Sequence, residues 1–244
     1  MSDLAGVYEK IMMDDEWYEW MSKINADDCI DYGMRHAMRT AEYAVDFVDE
    51  CHQFFGSKVK KFHSFGHEAD FYLSAIAALL HDIGMINGRE NHAERSKEMA
   101  KAYLKKYGLD DMELSVIAGA IGCHSGDDKI VNLVDAALMM GDKMDITRGR
   151  ILAFYDEMLI PHLSPLQKDF LKLKRVNFFL DSEYGHGVLE WGMIKDPKGA
   201  DFNTQVKQMM ELASEEYPKC INVPNYVTSG FLKMEFTFIV DDLT

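Results

Sequence analysis

A chain of 244 residues, 48% of them apolar, has enough material for one main domain with its own core and a small appendage. Its net charge of −15 excludes a general binder of nucleic-acid polymers, which needs clustered Lys and Arg against phosphates. A small phosphorylated substrate stays open, because a local metal centre reverses the sign of the field inside one pocket.

The N-terminal MSDLAGVYEK has no basic start followed by an apolar core, so neither a secretory nor a transit peptide is expected. Apolar residues then return every three or four positions, predicting helices near 4–24, 32–54, 68–83, 92–107, 111–124 and 130–147. The longest apolar stretch, Phe71 to Leu80, is about half a membrane span, so no bilayer crossing is expected. Gly84, Gly88, Gly108 and Gly126 stand where left-handed closing residues belong, and Asn91 with Glu94 has the spacing of a capping box. Cys29, Cys51, Cys123 and Cys220 are scattered without a CxxC pair, which fits a reducing, cytoplasmic setting.

A further helical stretch is expected from Ile151 to Lys174, interrupted around Pro161 and Pro165. Residues 175–195 read as two strands about the turn Tyr184-Gly185-His186-Gly187, residues 202–216 as a helix, and 231–240 as a half-buried strand with Met234, Phe236, Phe238 and Val240 on one side. The expected organisation is mainly α: a helical domain over 1–174 and a small α+β unit over 175–244. So small a sheet must pack against the helical domain or against a second copy of itself.

Five places interrupt the apolar helix faces with groups that should not turn inward alone. They are His36 in RHAMRT, the pair His81-Asp82 ending AIAALL, His92 opening NHAERS, His124 closing AGAIGCHSG, and Asp142 inside ALMMGDKMD. Each has a plainer reading: a core imidazole, a helix C-cap, or for Asp142 a surface pair with Lys143. The adjacent His81-Asp82 is the hardest to read so, since both leave a buried helix where they can turn into one pocket. At the start of a helix, His92 is disfavoured as imidazolium and so keeps a nitrogen free for metal.

In this order the residues resemble the HD superfamily, whose His, then His-Asp, then Asp is matched by His36, His81-Asp82 and Asp142 over roughly residues 30–150. His92 and His124 match the extended pattern of its binuclear members, among them HD-type dinucleoside tetraphosphate hydrolases. The resemblance implies an HD-domain helical bundle that hydrolyses a nucleotide, dinucleotide or other phosphoester with a metal-bridging hydroxide. One metal would be held by His36, His81, Asp82 and Asp142, the other by His92 and His124, with Asp82 as the shared catalytic carboxylate. Such ligands suit two divalent transition-metal ions, iron or manganese first, zinc or nickel next, and not calcium. Two such ions against two carboxylates and one hydroxide leave roughly one positive charge for an anionic ester.

Lys143, Arg148 and Arg150, with Arg39 one turn beyond His36, are the candidate substrate-binding cations; helix-dipole complements are the plainer reading. Met85 stands where many relatives have a basic residue after HDIG, with Arg89 as a substitute, and the GYP stretch of cyclic-di-GMP phosphodiesterases is missing. HD-fold di-iron oxygenases of polyols or phosphonates share the six-ligand arrangement, and a non-catalytic nucleotide-binding regulator is a third reading. The 17 methionines read as adaptable core filling. His52, His63 and His67 read as solvated, and His162 and His186 lie outside the matched pattern.

Overall fold

The computed structural model describes residues 2–24, 30–125, 130–151, 157–163, 167–168, 171, 173–181, 186–194 and 237–243. The fold is mainly α and forms two compact units, Met1–Ala26 with Tyr32–Asp142, and Asp27–Asp31 with Lys143–Thr244. The expected boundary at 174/175 stands where the helical pattern gives way to strand-like segments, later in the chain than the division at Asp142/Lys143.

In the first unit, the single expected helix over 4–24 is two: α1 (Leu4–Met12) and α2 (Asp15–Lys23). Asp14 breaks the run, because its carboxylate accepts from the Glu16 backbone N–H at 2.8 Å and starts α2 afresh. A long helix, α3 (Met34–Phe55), closes at Gly56, and α4 (His67–Leu80) opens after Gly66. Both glycines have positive φ, 52° and 104°, which few other residues tolerate. α4 packs on α3, α6 and α1, with Leu73, Ile76, Leu79 and Leu80 fully buried, each worth about 1.5–3 kcal/mol of transfer free energy. Its extension His67–Asn87 has the length and apolar content of a membrane span, yet 83% of that window is buried inside the fold. Trp17 of α2 donates its indole N–H to the Leu79 carbonyl at 3.0 Å, satisfying an acceptor left over at the end of α4.

Beyond α4 come His81-Asp82, a 3-10 turn over Ile83–Asn87, α5 (His92–Leu104), α6 (Asp111–Cys123) and α7 (Leu133–Met144). Asn91 makes no side-chain cap and is itself left-handed, so the capping box expected there is absent. The box stands instead at Asp110–Glu113, where Glu113 also accepts from the Ser2 backbone at 2.7 Å. Gly88 and Gly108 have positive φ as expected, while Gly84 does not. Gly84 is needed for another reason: a Cβ there would lie 2.6 Å from both the His92 carbonyl oxygen and the Ser96 nitrogen. Gly126 lies outside the described residues.

In the second unit, short 3-10 turns cover Arg148–Arg150 and Glu157–His162. Ile30 and Ile151 form an isolated antiparallel bridge, and Ile151 and Leu163 are buried with Ile30, Leu159 and Leu171 against them. The helix expected up to Lys174 gives way at Leu173, where β1 (Leu173–Asp181) begins; β-branched and aromatic residues from Val176 onward favour the strand. β1 pairs antiparallel with β2 (His186–Ile194), from Leu173↔Met193 to Asp181↔His186. β2 pairs parallel with β3 (Thr237–Leu243), giving the order β1-β2-β3. The helix expected over 202–216 and the strand residues 231–236 lie outside the described residues.

Candidate metal centre

Two glycines bring the candidate ligands together within the first unit. A Cβ on Gly141 would meet the Thr40 carbonyl at 2.5 Å and the Ala44 nitrogen at 3.0 Å, so α7 runs close along α3 and sets Asp142 beside His36. Gly84 likewise lets the turn after Asp82 lie on the first turn of α5, where the Gly84 N–H donates to Ser96 Oγ at 2.9 Å, setting Asp82 beside His92.

His36, His81, Asp82, His92, His124 and Asp142 fall into two groups that meet at Asp82. On one side the Nε2 atoms of His36 and His81 are 3.1 Å apart. Asp142 Oδ1 stands 3.3 and 3.8 Å from them, and Asp82 Oδ2 3.6 and 3.4 Å. Across the carboxylate the Nε2 atoms of His92 and His124 are also 3.1 Å apart, with Asp82 Oδ1 at 3.3 and 3.6 Å. All six are buried except His92, whose side chain is 21% exposed.

Hydrogen bonds fix which nitrogens face each other. His81 donates Nδ1–H to the Ala78 carbonyl at 2.7 Å, His92 to that of Arg89 at 2.8 Å and His124 to that of Ile121 at 2.6 Å. Each reaches three residues back, and His81 and His124 stand at the C-caps of α4 and α6. The C-cap reading and the ligand reading are therefore compatible, because capping uses Nδ1 and leaves Nε2 as a lone pair. His36 has a longer contact, Nδ1 to Thr40 Oγ1 at 3.4 Å. Neutral imidazoles so arranged point lone pairs at one another across 3.1 Å, which is repulsive unless a cation or proton lies between.

Asp82 Oδ1 is buried with no hydrogen-bond partner. Such an atom costs about 1–3 kcal/mol or more, and it marks a site that a cation would complete. Burial alone would raise the Asp82 carboxyl, but the imidazoles around it, when they carry protons, outweigh burial and hold the group well below the usual carboxylate range. For His92, burial is the largest cause of a lowered pKa, with the His124 charge adding to it against the opposing Asp82. The direction is the one expected from the helix dipole, through a different cause. Two buried sets, His36-His81-Asp142 and His81-Asp82-His124, have the close packing of donor atoms that a metal ion needs.

The expected substrate cations divide differently. Arg39 is half-buried on α3. Lys143 follows Asp142 on α7 but belongs with Arg148 and Arg150 to the second unit, where Arg150 donates to the Asp145 carbonyl at 3.2 Å. His52 is not solvated: it pairs at 2.8 Å with the fully buried Asp70, a partnership with no local signature in the sequence. His63 is exposed, and His67 pairs with Asp49 at the surface. Tyr32 was missed; it lies edge-on to His36 at a centroid separation of 6.2 Å.

A model of the HD domain family matches residues 33–158, more than half of the chain and a span that includes all six residues of the cluster. No curated protein matches the sequence significantly.

Proposed function

The chain belongs to the HD domain family, and from that premise we propose that it is a binuclear metal-dependent phosphohydrolase of a small phosphorylated substrate. HD domains bind divalent metals and are generally metal-dependent phosphohydrolases, and the buried His/Asp sets fit a metal site. The binuclear reading rests on one observation: the two oxygens of Asp82 face two separate imidazole pairs, each with Nε2 atoms 3.1 Å apart. His36, His81, Asp82 and Asp142 would hold one ion, and His92, His124 and Asp82 the other. Imidazole and carboxylate donors without thiolate favour iron or manganese, then zinc or nickel.

When bound, divalent ions lower the pKa of water and offset the charge of an anionic ester. The chain's own residues prepare the site for that. The backbone carbonyls of Ala78, Arg89 and Ile121 keep Nδ1 of three histidines protonated and Nε2 available. Burial of His36, His81 and Asp142 removes competing water from one side. The opening is at His92, the most exposed of the six, so the substrate approaches there. A dinucleoside polyphosphate, a mononucleotide or another phosphoester would each present the required phosphoryl group.

The deciding experiment is phosphate release by the metal-replete protein with and without dioxygen, in water labelled with heavy oxygen. Hydrolysis gives equal rates in both atmospheres and one solvent oxygen in the released phosphate. Strict dependence on dioxygen would put the six-ligand oxygenase chemistry in its place.

A further inference from the structure

α1, α3 and α4 enclose a groove of about 320 Å³, and none of the six metal-centre residues lines it. Ala41 and Ala75 are buried at its floor, with Ala5 half-buried beside them. One alanine from each helix leaves the space between the helices unfilled, where interiors are otherwise close-packed. The half-buried rings of Tyr8, Phe71 and Tyr72 form its walls. Tyr8 and Tyr72 have centroids 6.3 Å apart and planes tilted by 52°, too far from parallel to cover each other's faces by stacking. The charged side chains lining the groove, Glu9 and Glu42, are exposed and both acidic. Among the described residues neither has a hydrogen bond or an ion pair. One turn beyond Glu42, the Asp46 carboxyl is pushed up by partial burial and then by the charges of Glu42, Asp49 and Glu50, so negative charge accumulates along this side of α3. Met38 and Glu42, which line the groove, follow His36 and Thr40 by two positions, about 200° round the helix. The groove therefore opens on the side of α3 turned away from His36.

We infer that this groove binds a small organic cation, an ammonium group carried on an apolar body about the size of one ring. The aromatic and alanine surface takes the body out of water, aromatic rings attract the ammonium, and the Glu9 and Glu42 carboxylates supply the counter-charge. The volume falls at the lower end of small-molecule sites, roughly 300–1,000 Å³, which suits one such body and not a partner's helix. A second copy of the chain is disfavoured, because a two-fold contact through this face would set two acidic rims together. Such a ligand has the opposite charge to a phosphorylated substrate, and its binding is independent of the reaction at the metals.

The test titrates three probes of similar body into the full chain by calorimetry, at about 150 mM salt so that diffuse attraction to the acidic surface is screened. Benzyltrimethylammonium is the cation, benzyl alcohol the neutral control and benzenesulfonate the anion. Wild type should bind the cation at least about tenfold more tightly than the alcohol, and the anion not at all. Glu9→Gln and Glu42→Gln, made together at exposed positions, should bring the cation to within about twofold of the alcohol while metal content stays as it was. Ala5→Phe should fill the groove with its charge intact and weaken cation and alcohol alike, with thermal melts checking the fold. Should Ala5→Phe not fold, the double glutamine variant remains decisive. Equal affinity for cation and alcohol in wild type would overturn the inference. So would a cation preference that survives in the double glutamine variant, or cation binding unchanged in folded Ala5→Phe, which would be condensation on the acidic surface. If wild type takes none of the probes, the inference fails in favour of a macromolecular occupant.

Discussion

α3 and α4 form an antiparallel hairpin with a buried His–Asp cluster at each end, and the two ends are built on opposite terms. At one end, the start of α3 meets the end of α4 through His36, His81 and Asp82. At the other, His52 near the end of α3 meets Asp70 in the first turn of α4. Asp70 is closed: it accepts from His52, from the Ser64 hydroxyl and from the Phe65 backbone at 2.9 Å. Asp82 is open, with Oδ1 unpartnered and imidazole lone pairs aimed across it. Both carboxylates are costly to bury. One has its compensation within the chain, and the other is arranged for a ligand from outside.

Removing the open carboxylate should have the largest functional effect and little structural cost. Wild-type protein should carry about two transition-metal equivalents, and Asp82→Ala should lose most of them and reduce phosphate release at least about a hundredfold, because both ligand groups share this residue. Elemental analysis and a phosphate assay measure these. With metal stripped from both proteins, the variant should unfold within about 1 kcal/mol of wild type, since an unsatisfied oxygen is removed along with the favourable contacts. Full metal occupancy in Asp82→Ala would sink the assignment.

The closed cluster should answer in the opposite sense. Asp70→Ala leaves His52, Ser64 and the Phe65 N–H without their buried acceptor, and should destabilise the fold by about 3 kcal/mol in denaturant titrations. Metal content of the folded fraction should be unaffected. Metal loss without unfolding in this variant would erase the distinction between the two ends.

The open end was legible in the sequence and the closed end was not, for a physical reason. His36, His81-Asp82, His92, His124 and Asp142 each sit at a helix start, a helix end or on an apolar face, where a polar residue breaks a short-range pattern. Asp70 obeys local rules: an acidic residue in the first turn of a helix is ordinary on a surface, and only the packing of α4 on α3 shows it buried. The break at Asp14 was obscured likewise, since helical periodicity runs through it while its carboxylate makes the new cap. In the tail, the alternation at 231–240 suggested a strand, and β3 spans Thr237–Leu243. Its parallel partner β2 was beyond reach, because pairing between strands more than forty positions apart leaves no periodic trace.

A third cluster, closed like that of Asp70 but at the surface, provides the smallest and most finely resolved test of the same contrast. Asp14 caps α2 and also accepts from the Tyr107 hydroxyl and pairs with Lys106 at 2.7 Å. What burial it has acts to raise its pKa, but the hydrogen bonds from Lys106, Tyr107 and the Glu16 N–H prevail and depress it below the ordinary value of 3.8. A depressed carboxylate stabilises the fold at every pH above its unfolded value and loses that contribution as pH falls through the folded one. Asp14→Ala should therefore cost about 1 kcal/mol at neutral pH, chiefly the cap. Asp14→Asn keeps a good capping side chain and gives up only the charged partners, so it should cost less, within about 1 kcal/mol for so exposed a pair. The gap between wild type and Asp14→Asn should be constant from pH 8 to about 5 and narrow below about pH 4 as the wild-type carboxyl protonates. Thermal melts across that range measure it, alongside metal content, which neither variant should change. A gap that widened on acidification would show that the ion pair, and not the cap, was the unfavourable element at this end of α2.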